Sequence, residues 1–248
     1  MLKDKVVLVT GGANGMGEAH CRLLAERGAV VVVADVNQRG EDVVADIARD
    51  GGIARFRPLD VRDRRQWQAV VDATVREFER IDGLVNNAGI LVRQPAEELT
   101  VEDWDLLFDI NVKGTFLGSQ AVLPAMKKAG SGSIVNISSI SGLVANMPGM
   151  SAYCATKGAI RLFTKGLAVD YAAYNIRVNS LHPGTIRTPM TADFERDSEK
   201  LNLLLGTTIL RRLGEPREIS EVLAFLLSDA SSFMTGSEVT ADGGFTAV

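Results

Sequence analysis

The stretch SAYCATKGA places Tyr153 and Lys157 four residues apart, where an alanine-rich segment of helical character begins. Positions i and i+4 lie on one face of an α-helix, so the phenol and the ammonium can reach the same space. The two residues could form a surface pair, a core tyrosine beside a solvated amine, or a proton-transfer device. Spacing alone leaves all three open, and the choice depends on what else the chain brings to this face.

A glycine cluster, TGGANGMG, follows the first apolar run and precedes a helical segment. Gly11, Gly15 and Gly17 have the spacing G-x-x-x-G-x-G, which is related to the fingerprint that holds a pyrophosphate at a helix amino terminus. A tight strand-to-helix turn without a ligand is the alternative. A Walker-type phosphate loop is disfavoured because an acidic residue, not lysine, follows the last glycine. Asn14 and Met16 are included in this predicted cofactor site.

Asp35 ends the second apolar run, 18 residues after Gly17. A carboxylate there can accept hydrogen bonds from the adenosine ribose hydroxyls, and its charge would repel a 2′-phosphate. Positions 36–38 carry no basic residue, so the sequence favours NAD over NADP, although Arg39 has a side chain long enough to reach back. A solvated loop carboxylate is the other interpretation.

A nicotinamide cofactor gives Tyr153 a role in proton transfer. A free tyrosine has a pKa of about 10, and both the Lys157 ammonium and an oxidised nicotinamide favour the phenolate. Tyr153 is therefore predicted to be the general base in alcohol oxidation and the general acid in ketone reduction. Ser139, 14 residues earlier, could donate a hydrogen bond to the substrate oxygen, although taken alone it would be an ordinary strand-end hydroxyl.

The fold class follows from the alternation of short β-branched runs with longer amphipathic segments, which predicts a doubly wound α/β sheet. We expect one Rossmann-type sheet of seven mostly parallel strands, with helices on both faces, in a single domain spanning residues 1–248. The predicted strands are residues 5–10, 29–35, 54–60, 82–89, 132–139, 176–184 and 237–244.

Composition narrows the range of partners. The chain has 248 residues, 46% of them hydrophobic, and a net charge of −4 without a basic patch, which disfavours nucleic acid and membrane partners and favours a small molecule. Two cysteines and two histidines form neither a disulfide framework nor a metal-binding motif, so we expect no metal. The amino terminus enters an apolar strand directly, and we expect a soluble, cytoplasmic protein.

Several motifs in order make the chain resemble the short-chain dehydrogenase/reductases in their NAD-preferring form, with hydroxysteroid and cyclic alcohol dehydrogenases among them. The motifs are TGGANGMG, NNAG, INVKGTF, NISS, YCATK and HPGTIRT, followed by DGG at 242–244. They span essentially the whole chain, and their order and intervals carry the resemblance.

The resemblance implies a catalytic set and a cofactor set. Tyr153 would be the acid/base, Lys157 a pKa modifier and ligand of the nicotinamide ribose, Ser139 the group that positions the carbonyl, and Asn111 the holder of a water linking the lysine to solvent. The remaining residues would contact the cofactor: Asp60 and Val61 at the adenine, Asn87, Ala88 and Gly89 in the cleft, and Pro183, Gly184, Ile186 and Thr188 at the nicotinamide.

Two departures from the family pattern stand out. The interval from serine to tyrosine is usually 13, and here it is 14, which indicates a one-residue insertion and a reshaped pocket wall; Ser141, at 12, is a weaker stand-in for Ser139. His182 occupies the position before PG where a small or amide residue is more usual, and we interpret it as a packing variant. Cys154 is interpreted as packing as well.

Substrate choice is expected to lie in three loops, at 90–99, 143–151 and 190–206, of which the last has the length of a mobile lid. Apolar residues in them could form an adaptable pocket for a cyclic or steroid-like secondary alcohol or ketone, or could instead pack subunit contacts or core. These residues are Leu91, Val92, Val144, Met147, Met150 and Met190.

Two other functions stay open. The same fold carries out 3-oxoacyl thioester reduction, although that group usually prefers NADP and has a basic residue in the glycine loop. An NAD-sensing regulator without turnover is the alternative that is not an enzyme. The family also leads us to expect a homotetramer in which the helices at 101–128 and 151–174 pair between subunits.

Overall fold

The computed structural model describes residues 2–145, 147–192 and 198–248. Seven strands form one sheet in the order β3-β2-β1-β4-β5-β6-β7, and every pairing is parallel, so the predicted seven-stranded sheet is confirmed. The strands are β1 (Val6–Thr10), β2 (Val30–Asp35), β3 (Ile53–Pro58), β4 (Gly83–Asn86), β5 (Gly132–Ile137), β6 (Ile176–Pro183) and β7 (Glu238–Ala241).

Helices cover both faces of the sheet. They are α1 (Gly15–Glu26), α2 (Gly40–Arg49), α3 (Arg64–Phe78), α4 (Val101–Leu107), α5 (Gly114–Ala129), α6 (Ser151–Tyr171), α7 (Ser198–Leu205) and α8 (Pro216–Leu227).

The alternation of side chains along β1 divides the core in two. Val7 and Val9 pack with residues of α1, α2 and α8 on one face, whereas Val6 and Leu8 pack with residues of α3, α5 and α6 on the other. All five residues of β1 are buried, as expected for a central parallel strand covered on both sides.

The helix predicted over 101–128 is interrupted. A π-helical segment, Phe108–Lys113, separates α4 from α5 and contains the buried Asn111. The Asn111 side chain bonds to Ile90, outside its own helix, and the widened turn accommodates this inward position. Such bulges occur frequently at functional sites.

The sheet places a crevice where strand order reverses. β1 pairs with β2 on one side and with β4 on the other, and ligands of doubly wound sheets bind beyond the strand ends at this point. Within the described residues, no helix has the length and apolar character needed to cross a membrane.

Candidate active site

A cavity of 560 Å³ opens at this crevice, beside the first turn of α1. Twelve of the predicted cofactor-binding residues line it: Gly11, Asn14, Gly15, Met16, Gly17, Asp35, Asp60, Val61, Asn87, Ala88, Gly89 and Thr188. Four others line an adjoining pocket: Tyr153, Pro183, Gly184 and Ile186. The structure therefore collects residues from distant parts of the chain along one continuous edge of the sheet.

The glycine loop turns tightly where α1 begins. A Cβ atom on Gly17 would lie 1.9 Å from the carbonyl oxygen of Gly11, so no larger residue fits. Asn14 is the N-cap of α1, but its side chain makes no capping hydrogen bond. The N–H groups of the first helical turn have no partner within a helix, and they carry the positive end of its dipole. This end of the cavity therefore suits an anionic pyrophosphate.

The turn after β4 is fastened to the glycine loop by Asn87 and Thr10. Nδ2 of Asn87 donates to the carbonyl oxygens of Thr10 at 2.9 Å and Gly11 at 3.3 Å. The Thr10 hydroxyl oxygen accepts the N–H groups of Asn87 and Ala88, each at 3.0 Å. Sequence reasoning missed Thr10, although its position as the last residue of β1 could have indicated it.

Asp35 lines the cavity with a carboxylate fixed by the backbone. Its Oδ2 accepts the N–H of Ala13 at 3.0 Å, and its Oδ1 accepts the N–H of Asn37 at 2.9 Å. Each carboxylate oxygen can accept a second hydrogen bond, so both retain capacity for a ribose hydroxyl. The side chain is thus oriented before any ligand arrives.

Among the described residues, one arginine reaches the cavity, and it is not Arg39, the one that the sequence indicated. Arg39 does not contribute to the cavity wall, whereas Arg62 does. Arg62 binds Asp60 in a two-pronged pair, Nε to Oδ1 at 2.9 Å and Nη2 to Oδ2 at 2.7 Å. The guanidinium holds the pKa of Asp60 below its usual value.

Ser139, Tyr153 and Lys157 come together where β5 ends and α6 begins. The side chains of Ser139 and Tyr153 line the same small pocket, and the Lys157 Nζ lies 5.5 Å from the centroid of the Tyr153 ring. The buried ammonium donates to the carbonyl oxygen of Ile137 at 2.9 Å. The phenol and the ammonium therefore share one face of α6, as the spacing predicts.

Burial sets the protonation of this pair. Desolvation by burial raises the pKa of Tyr153 to about 12, although Ser139 has an opposing effect. The same burial lowers the pKa of Lys157 to about 8. The sequence predicted that the ammonium would lower the tyrosine pKa, whereas in the chain alone desolvation by burial raises it. The phenol is protonated at neutral pH, which is the form that a general acid requires.

Asn111 connects the β4 turn to α6. Its Oδ1 accepts the N–H of Ile90 at 2.9 Å, and its Nδ2 donates to the Ile90 carbonyl at 3.0 Å and to the Thr156 hydroxyl at 3.2 Å. The Thr156 hydroxyl in turn donates to the carbonyl oxygen of Tyr153 at 2.8 Å. Asn111 thus positions the turn beside α6. That it also holds a water linking Lys157 to solvent stays a prediction.

The adjoining pocket has a volume of 130 Å³ and contains Ser139 and Tyr153. Met16, Thr188 and Met190 line both this pocket and the larger cavity, so the two meet. Four of the six predicted apolar residues line the pocket: Leu91, Met147, Met150 and Met190. Val92 and Val144 lie outside its lining. The hydroxyl groups of Ser139 and Tyr153 thus face an apolar pocket that opens into the 560 Å³ cavity.

Comparisons with known proteins match this architecture. A family model described as enoyl-(acyl carrier protein) reductase matches residues 11–246. The chain is 52% identical over 247 residues to a cyclopentanol dehydrogenase of Comamonas testosteroni, covering 99% of this chain and 98% of the relative. It is 45% identical over 253 residues to a trans-4-hydroxycyclohexanecarboxylate dehydrogenase of Sinomonas cyclohexanicum, covering 98% and 93%. A crystal structure of a gluconate 5-dehydrogenase from Burkholderia cenocepacia J2315, in complex with NADP and tartrate, gives a TM-score of 0.95 at 35% identity and covers 100% and 97%.

The matches extend over nearly the whole chain. The chain belongs to the short-chain dehydrogenase/reductase family. The resemblance to cyclic alcohol dehydrogenases and the doubly wound fold are confirmed, as is the prediction of an oxidoreductase of the alcohol dehydrogenase type.

In this short-chain dehydrogenase/reductase the extended interval between Ser139 and Tyr153 forms a loop that is clasped by the neighbouring loop at 90–99. The N–H of Gln94 donates to the Gly149 carbonyl at 3.0 Å, and Nε of Arg93 donates to the Pro148 carbonyl at 3.1 Å. The longer loop therefore forms part of the pocket wall, while Ser139 and Tyr153 still line the same pocket.

His182, interpreted from sequence as a packing variant, is fully buried behind Ser139. Its Nδ1 lies 3.0 Å from the carbonyl oxygen of Ser139, and its Nε2 lies 2.8 Å from the Ser180 hydroxyl. Burial lowers the pKa of His182, which favours the neutral imidazole. The ring lies against the backbone of Ser139 and does not line the pocket. It therefore packs in the core and also holds the Ser139 backbone in position.

The predicted lid at 190–206 is described at its two ends, and residues 193–197 lie outside the described residues. Leu204 of α7 lines the small pocket. Leu204 and Leu205 form a cluster with Leu213, against which Met147 packs. This end of the segment therefore covers the pocket.

Proposed function

We propose that the enzyme interconverts a secondary alcohol in a small ring and the corresponding ketone, with NAD(H) as the cofactor. The observation that carries this proposal is that the hydroxyl groups of Ser139 and Tyr153 line one apolar pocket that opens to the larger cavity. A pocket of 130 Å³ is well below the roughly 300–1,000 Å³ of drug-sized ligand sites, which favours a single ring over a steroid. The two named relatives above, which act on five- and six-membered rings, support the same class.

The residues fit a nicotinamide dinucleotide. The first turn of α1 provides N–H groups for the pyrophosphate, Asp35 accepts from the adenosine ribose, and Asp60 and Val61 lie at the adenine end. Lys157 and Tyr153 would hold the nicotinamide ribose. When bound, the cofactor accepts a hydride from the alcohol carbon or returns one to the ketone carbon.

Proton transfer is the task of Tyr153. In reduction, the phenol gives its proton to the ketone oxygen while the carbonyl carbon receives the hydride, so that ketone, hydride and proton make one alcohol. Ser139 donates a hydrogen bond to the same oxygen, where negative charge develops. The Lys157 ammonium, on the same face of α6, favours the phenolate left behind. Oxidation runs through the same steps in reverse.

NAD preference rests on the Asp35 charge. Asp35→Ala should narrow the ratio of kcat/KM for NADH over NADPH by about tenfold or more, because like charges placed together are strongly unfavourable. Asp35→Asn is the matched control: it keeps an acceptor oxygen and removes the charge, so it should narrow the ratio too while retaining more NADH activity. An unchanged ratio in both variants would remove Asp35 from the explanation.

The substrate class is tested by NADH consumption with the purified enzyme. The panel contains cyclopentanone, cyclohexanone, a steroid ketone, an open-chain ketone and an acetoacetyl thioester. We expect the small ring ketones to have the highest kcat/KM. Preferential turnover of the thioester would make the enzyme a 3-oxoacyl thioester reductase, and cofactor binding without any turnover would favour an NAD-sensing regulator.

A homotetramer is proposed from apolar residues left exposed on the helices beside the site. Phe116 of α5 is 40% exposed, and Leu162 and Val169 of α6 are 70% and 81% exposed. Light scattering should give about four times the mass of one chain. Leu162→Lys combined with Val169→Lys should yield a smaller species, whereas Ile53→Lys on the edge strand β3 should not. A wild-type monomer would contradict the assembly.

Both cysteines are free, Cys21 buried and Cys154 half-buried. Free thiols suit the reducing cytoplasm, which is the location that we propose.

A further inference from the structure

One charged side chain lines the small pocket. Among the described residues that form its wall, Arg93 alone carries a charge; the others are apolar residues, glycines and hydroxyl-bearing residues. Arg93 is exposed, so it stands where the pocket meets solvent. Glu97 and Glu98 follow in the same loop, but both are exposed and neither contributes to the pocket wall. The described wall of the pocket therefore combines an apolar interior with one guanidinium at the rim.

The stem of Arg93 is held in place. Its Nε donates to the Pro148 carbonyl, and a Cβ atom on Gly149 would lie 3.2 Å from its Cγ, so the two loops are in close contact here. Gly149 has a φ of +78°, a conformation that favours glycine, and the N–H of Gln94 bonds to its carbonyl. The loop that carries the extra residue between Ser139 and Tyr153 thus fixes the position of the guanidinium. A guanidinium has five N–H donors in a planar fork, so it can bind several partners at once.

The chemistry at the two ends of the pocket differs. Ser139 and Tyr153 are arranged for a neutral carbonyl or hydroxyl oxygen, whereas a guanidinium at the rim suits a planar carboxylate. A ring with a flat anionic substituent opposite its reacting carbon carries the same two kinds of group at its two ends. An apolar interior accommodates the ring between them.

We propose that the preferred substrate is a ring alcohol or ketone bearing a carboxylate, and that Arg93 binds this carboxylate. The proposal rests on the function proposed above and specifies its substrate more closely. Arg93 determines specificity and takes no part in the chemical step. Neutral ring ketones remain substrates, but poorer ones.

The test compares 4-oxocyclohexanecarboxylate with its methyl ester, which lacks the negative charge and carries one additional methyl group. We expect the wild-type enzyme to favour the acid by about fivefold in kcat/KM, since the charge pair is exposed at the rim, and this preference should fall as salt is added. Arg93→Gln should lower the acid's kcat/KM about fivefold more than the ester's and so remove the preference. Arg93→Lys should retain part of it. Arg49→Gln, on α2 beside the distant edge strand β3, removes the same charge and should change nothing.

The outcomes separate this proposal from the function on which it rests. Turnover of the ester with no preference for the acid, or an equal preference in the wild type and Arg93→Gln, overturns the role of Arg93 and leaves the ring-ketone activity standing. Equal losses for acid and ester in both Arg93 variants would show that the residue only braces the loops, and would also overturn the proposal. Absence of turnover for every ring ketone would overturn the proposed function and this inference together.

Discussion

Tyr153→Phe should lower kcat/KM for ketone reduction by about a hundred- to ten-thousandfold while NADH still binds. The substitution removes one oxygen, and with it the proton donor, from a ring whose position is fixed by packing. General acid catalysis by a positioned group contributes about that range. Stopped-flow or steady-state consumption of NADH measures the rate, and quenching of protein fluorescence measures the binding.

Tyr174→Phe is the matched control for this experiment. Tyr174 is 40% exposed, lies outside both cavities and loses the same atom, so its activity should equal that of the wild type. A Tyr153→Phe variant with more than a tenth of wild-type activity would contradict the acid/base assignment. Equal midpoints of thermal unfolding for the two variants would show that Tyr153→Phe loses activity through the missing hydroxyl and not through misfolding.

Ser139→Ala should lower kcat/KM by about a hundred- to a thousandfold, the usual effect of removing one hydrogen bond to a developing oxyanion. Ser139 and Tyr153 line the same small pocket, so we expect the serine hydroxyl to reach the same substrate oxygen as the phenol. The expected loss falls mainly on kcat, because the bond strengthens as charge develops.

Ser141→Ala tests whether Ser139 or Ser141 acts on the substrate oxygen, since neither serine has the usual interval of 13 from Tyr153. Ser141 also lines the pocket, and its N–H donates to the Ser139 hydroxyl oxygen at 3.0 Å. Since the alanine variant keeps that N–H, it should retain most activity. If Ser141→Ala were the more damaging change, the catalytic serine would have to be reassigned.

The sequence was sufficient for the sheet because its signals are local. Val6 to Val9 form a continuous apolar run, and such runs are typical of parallel strands covered on both faces. The glycine loop, Asp35 and the Tyr153–Lys157 pair follow from spacing relative to those strands. Most of the cavity wall could therefore be placed before the structure was known.

Features that depend on contacts between distant segments could not be predicted. The π-helical turn around Asn111 arises from bonds to Ile90, 21 residues earlier. The sequence predicts that the loop at 90–99 takes part in substrate choice. The role of Arg93 within it depends on a contact with Pro148, 55 residues later, which spacing does not reveal. The upward shift of the Tyr153 pKa also went unpredicted, because burial is a property of the packed structure and spacing does not report it.

The most direct test of the account follows the hydride itself. The enzyme is given NAD and cyclopentanol deuterated at the carbinol carbon, and the products are analysed by mass spectrometry. We predict equal amounts of cyclopentanone and NADH, with the NADH one mass unit heavier than that formed from unlabelled alcohol. Unlabelled NADH, or no oxidation of ring alcohols at all, would contradict the account.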